Sequence, residues 1–95
     1  MKQKLSFEEF VQQLQLVNDG EAGSIQGKHY SQIRIDNGKI HGLRDDTGKP
    51  FEIDIKKLYQ AYDENERINT SILKLYVDRV QSPAYAILMK MGLAD

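Results

Sequence analysis

The chain has 95 residues, 40% of them hydrophobic and 28% charged, with 13 Lys and Arg against 14 Asp and Glu and no Cys. So short a chain supports one hydrophobic core and hence one domain, residues 1–95, and its proportions are those of a globular fold rather than a disordered tail or fibrous repeat. The balanced charge offers no broad attraction to nucleic-acid phosphates; with no Cys there is no disulfide framework, thiol nucleophile or thiolate metal site, and a reducing cytoplasmic setting is expected.

The opening "MKQKLSFEEFVQQLQLV" begins with basic residues, but Glu8, Glu9, Gln12 and Gln13 interrupt what an export signal would need as an apolar core. Ser6 followed three residues on by Glu9 is a capping box, so a helix is expected to start at Phe7. Leu5 and Phe10 can close over its first turn as a hydrophobic staple, and Phe7, Phe10, Val11, Leu14 and Val17 form its apolar stripe. Asn18, Asp19 and Gly20 stop the helix, and 18–27, "NDGEAGSIQG", reads as a flexible connector.

From Lys28 the apolar period becomes two, and Asn37-Gly38 is the dipeptide that a type I′ hairpin turn prefers. A turn there pairs Asp36 with Lys39, Ile35 with Ile40 and Arg34 with His41. That register puts Ile40 and Leu43 on opposite faces, so a bulge at Gly42 is expected to return Leu43 to the core. "RDDTGK" has turn chemistry with Gly48 at positive φ, and Phe51, Ile53 and Ile55 then alternate as a third antiparallel strand.

Asp54 can cap a helix from about Ile55, with Ile53 and Leu58 as its staple and Ile55, Leu58, Ala61 and Tyr62 facing inward. "DENERIN" ends it. Asn69 or Thr70 caps the next helix, which sets Ile72, Leu73, Tyr76, Val77 and Val80 on one side. Ser82 and Pro83 open a last short helix at its cap and first position, and Gly92 followed by Leu93 closes it as a Schellman stop. The expected fold is α+β: an N-terminal helix, a three-stranded antiparallel β-meander and three C-terminal helices packed on one sheet face.

The final helix is apolar over far more than one stripe. Ala84, Ile87, Leu88 and Met91 share one arc, Tyr85 and Met89 widen it, and only the side of Ala86 and Lys90 looks wet. Either a groove within the domain covers the excess, or a second subunit does. The residue types suit an interface, so Tyr85, Leu88, Met89 and Met91 are the candidate contacts of a homo-oligomer, a dimer by preference. No run in this helix approaches the roughly 20 apolar residues that span a bilayer, and no membrane partner is expected.

Chemistry is sparse in this sequence. Asp46-Thr47-Gly48 spells the aspartic-protease triplet but stands in a charged turn, which cannot shield two carboxylates sharing a proton. His29 and His41 have no metal-ligand spacing and read as exposed strand residues, and no nucleophile elbow, phosphate loop or dinucleotide fingerprint is present. No catalytic residue, metal or other cofactor is assigned. Tyr59, Tyr62 and Tyr76 are candidates for the wall of a cleft for a small apolar ligand, against the plainer reading of tyrosines rimming a core. The break at "VQSPAY" invites comparison with a helix-turn-helix, yet the helix after it offers only Lys90 as a base. The functional expectation is thus a small protein-interaction or ligand-binding module. The alternative is nucleic-acid binding through the basic hairpin 28–49, where Asp36, Asp45 and Asp46 dilute Lys28, Arg34, Lys39, His41, Arg44 and Lys49.

Overall fold

A computed structural model describes residues 4–15, 17–18, 20–23 and 28–94. Over these the order is α1 (Phe7–Leu14), β1 (Gly20–Gly23), β2 (His29–Asp36), β3 (Lys39–Arg44), β4 (Lys49–Asp54), α2 (Ile55–Glu64), α3 (Thr70–Lys74) and α4 (Gln81–Lys90). The class is α+β, with an antiparallel sheet in the order β1-β2-β3-β4. The sheet therefore has four strands where the sequence suggests three. The added strand lies inside the expected connector, whose residues 24–27 fall outside the described residues.

The helix starts follow from local chemistry. Ser6 Oγ accepts from Glu9 N at 3.2 Å while Glu9 Oε1 accepts from Ser6 N at 3.0 Å, a complete capping box. Asp54 Oδ1 accepts from Lys56 N and Lys57 N, and Asn69 Oδ1 from Ile72 N. Each cap is preceded by an apolar residue with its staple partner five positions on: Leu5 with Phe10, Ile53 with Leu58, and Ile68 with Leu73, all in or against one core. Asp54 both ends β4 and opens α2, so replacing it leaves two amides without their acceptor. Asp54→Ala is expected to lower stability by about 1 kcal/mol, read as a shifted midpoint in urea with an unchanged slope.

Asn37 at φ 49° and Gly38 at φ 75° make the type I′ turn, and the β2–β3 register is Asp36↔Lys39, Ile35↔Ile40, Arg34↔His41. The bulge is not at Gly42. It lies across from it, where Gln32 and Ile33 together oppose Gly42 and Gln32 takes φ 53°. The extra residue shifts the phase of β2, so Tyr30 joins Ile33 on the inner face and His29 and Ser31 turn outward. Leu43 stays on the outer face, half-buried, because nothing in β3 itself changes phase. Gly42 is glycine for another reason: a Cβ there would stand 2.5 Å from Phe51 Cζ and 2.6 Å from Cε2. The far end of the Phe51 ring reaches over its cross-strand neighbour, and the ring meets Tyr30 edge-on, centroids 5.7 Å apart.

Two helix boundaries also differ from expectation. α3 ends at Lys74, beyond which Leu75 N and Tyr76 N bond three residues back, Asp78 Oδ1 takes the amide of Arg79, and Arg79 sits at φ 71°. These tighter turns keep Leu73 and Val77 inside but leave Leu75 83% exposed. α4 begins at Gln81 with Val80 as its cap, so Pro83 occupies the third helical position, where its missing N–H still falls among the amides a helix start leaves unpaired. Ser82 is not the cap; its hydroxyl pairs with Tyr30 Oη at 2.8 Å. The Schellman stop forms as expected, with Leu93 N on Leu88 O, Gly92 N on Met89 O, and Gly92 at φ 77°.

Candidate functional site

α4 packs against α3 on one side and β1 on another. Leu88 is 0% exposed, Met91 7% and Ala86 1%, so part of the arc expected to need a partner, and Ala86 on the side expected to be wet, are covered by the chain itself, while Lys90 is exposed. Part of that cover comes from β1, the strand the connector hides. Of the four interface candidates, Leu88 and Met91 are core residues, while Tyr85 and Met89 are partly exposed. Lys90 reaches over the edge strand, its Nζ donating to Glu21 O at 2.6 Å. Among the described residues no helix is long and apolar enough to cross a membrane.

Two of the three cleft candidates, Tyr59 and Tyr62, are brought together, but around the chain's own segment at Leu5. Tyr59 Oη donates to Leu5 O at 2.9 Å, and Tyr62 Oη accepts from Leu5 N at 2.8 Å. Lys4 Nζ lies 4.6 Å from the centre of the Tyr62 ring and donates to Tyr62 O at 2.5 Å and to Asn65 O, carbonyls at the C-terminal end of α2. Phe7 and Phe10 each meet Tyr59 edge-on at 5.3 Å. Burial pushes the Tyr59 phenol above its ordinary pKa, with the nearby Asp63 carboxylate adding to it. Tyr76 stands apart from this pair, donating to Glu64 Oε1 at 3.0 Å and accepting from Asn65 Nδ2 at 3.3 Å. All three hydroxyls are thus occupied within the fold.

The inner face of the sheet, with Tyr30, Ile33, Ile40, Phe51 and Ile53, shares one core with the helices. The outer face is polar, and its rows run straight across three strands: Asp36–Lys39–Asp54, then Arg34–His41–Glu52, then Ser31–Leu43–Pro50. Lys39 Nζ donates to Glu52 Oε1 at 2.7 Å, which holds the lysine pKa up and the glutamate pKa down, and His41 Nδ1 lies 3.6 Å from Glu52 Oε2. Arg44 is spent on Pro50 O and Arg79 O and stands 5.9 Å from the centre of the Phe51 ring. Lys39, His41 and Arg44 of the hairpin therefore sit among acids and carbonyls, and the buried rings of Tyr30 and Phe51 face inward, away from the position in which bases stack on a sheet.

Beside the bulge lies a shallow open depression of about 540 Å³, lined by Gly20, Glu21, Ser31, Gln32 and Arg34. Next to it His29 Nδ1 contacts Asp45 Oδ2, His29 Nε2 lies 3.2 Å from Glu21 Oε2, and Ser31 Oγ donates to Asp45 Oδ1 at 2.5 Å. The bond from Ser31, and then that from His29, hold the Asp45 carboxyl below its usual pKa; the bond to Asp45 is the main cause of the raised His29 pKa.

A serine, a histidine and an aspartate meet here in the wrong order for nucleophilic attack. The hydroxyl gives its proton to the carboxylate, while the imidazole nitrogen that would have to act as base faces Glu21. The two carboxylates sit on opposite ring nitrogens and do not converge, and among the described residues no group of three His, Cys, Asp or Glu side chains is placed to hold a metal ion. Asp46-Thr47-Gly48 is the exposed β3–β4 turn, with Gly48 at φ 70°. The sequence singles out neither Glu21 nor Asp45 as a partner of His29; assigning β1 would have set Glu21 beside it. Comparison with known protein families, curated proteins and solved structures finds no match to the chain.

Proposed function

We propose that this chain is a small protein-interaction module that presents the outer face of its sheet to a folded protein partner whose surface carries mixed charge. The supporting observation is the in-register outer face, in which half-buried Leu43 and exposed Pro50 lie side by side next to two rows that mix acidic with basic or titratable side chains. Protein contact surfaces combine apolar with polar area, and the mixture of signs disfavours a uniformly charged polymer while suiting a mixed-charge protein surface. The tyrosine hydroxyls are engaged within the fold, which favours protein over small-ligand recognition.

The test is affinity enrichment, after cross-linking, from the cells that make the protein, with Leu43→Asp compared against Leu75→Asp. Leu75 is the control because it is highly exposed and follows α3, outside every strand of the sheet. A protein retained by the unchanged chain and by Leu75→Asp, and reduced at least about tenfold by Leu43→Asp at an unchanged melting temperature, is the expected result, a loss of about 1.4 kcal/mol in binding. Equal retention by Leu43→Asp, or nucleic acid as the retained material, overturns the reading.

A further inference from the structure

We propose that His29 is a proton-operated clasp that holds the edge strand β1 to the sheet. His29 opens β2 and stands between Asp45 of the β3–β4 turn on Nδ1 and Glu21 of β1 on Nε2, the latter at 3.2 Å. An ionised carboxylate can only accept, so both contacts are hydrogen bonds only while both ring nitrogens carry protons. A neutral ring keeps one N–H, and Asp45 retains it: this carboxylate is the closer partner and is oriented by the Ser31 hydroxyl at 2.5 Å. Nε2 then turns a lone pair toward Glu21, and the tie to β1 is lost while the tie to the turn survives.

β1 is the element that would respond. It is four residues long with glycine at both ends, and it is otherwise held by its ladder to β2, by buried Ala22 and by Lys90 of α4 on the Glu21 carbonyl. The charged groups acting on the ring are Asp45 from the turn and Glu21 from β1, with Lys28 adjoining it in the chain. Both carboxylates favour the charged imidazole, so the folded-state pKa lies above the ordinary 6.5. The clasp is fully closed below that ordinary value and opens as pH rises through the folded one. Opening exposes the backbone groups of β2 that face β1, a pairing edge that an incoming strand can use.

Amide hydrogen exchange followed by NMR between about pH 5.5 and about pH 8.5 tests this, with rates corrected for their intrinsic pH dependence. In the unchanged chain, protection of the amides that pair β1 with β2 should fall by about two- to fivefold over that range, the size expected of an exposed ion pair. The β3–β4 amides should keep theirs. In Glu21→Gln the fall should vanish while His29 still titrates, and in His29→Gln it should vanish outright. Constant β1 protection in the unchanged chain, or the same fall in Glu21→Gln, overturns the proposal. Glu21 is exposed, so its replacement leaves the fold in place for the measurement.

Discussion

Leu88→Ala should cost about 2 to 5 kcal/mol without changing the mass of the particle in solution. Its side chain is fully enclosed, on a helix that packs against α3 on one flank and β1 on another, so truncation opens a cavity that neither neighbour can easily fill. In a domain of this length the melting temperature should fall by about 10 to 30 °C. Sedimentation of the unchanged chain at tens of micromolar should give a single 10.9 kDa species, and the variant, where folded, the same. Met89→Ser supplies the contrast. Met89 is partly exposed, and if a subunit contact covered α4 this substitution would lower the mass toward that of one chain and remove any concentration dependence of the melt. A heavier particle that reverts to one chain on Met89→Ser would return α4 to the role of an interface.

How far the fold can be read from the sequence depends on the range over which each feature is decided. The capping box, the type I′ turn, the Asp54 cap and the Schellman stop are settled within about six residues, and each forms where the residue pattern puts it. β1 is decided elsewhere. Gly-Glu-Ala-Gly has little strand propensity of its own and becomes a strand because β2 offers it an edge and α4 an apolar flank, neither visible from the four residues alone. Missing β1 removes part of the cover for α4, so the helix looks barer in the sequence than it is in the fold.

The bulge teaches the same lesson from the other side. Glycine marks such sites in sequence, but the residue that takes positive φ is Gln32, and the glycine opposite it answers to a phenyl ring. The His29 cluster was equally hidden, since its carboxylates lie 8 and 16 residues away on opposite sides in sequence and meet only once β1, β2 and β3 have paired. Spacing rules that detect helical or loop motifs do not reach so far.

Gly42→Ala is the second large effect, expected at about 1 to 3 kcal/mol of destabilisation. Elsewhere in a strand this change would help, because alanine narrows the unfolded ensemble. Here the new methyl would overlap the far edge of the Phe51 ring and lie 3.3 Å from the Ser31 carbonyl oxygen. The ring has little room to yield, with Tyr30 meeting it edge-on and Arg44 beside it. The cause can be isolated with Phe51→Leu, whose shorter side chain does not reach over residue 42. If the ring is what forbids a Cβ, adding Gly42→Ala to Phe51→Leu should cost little, and the two changes should couple by about 1 to 2 kcal/mol in a double-mutant cycle read by urea unfolding. If glycine is needed instead for the twist or flexibility of β3, the two costs will simply add. Additive costs would detach Gly42 from Phe51 and leave the glycine without this explanation.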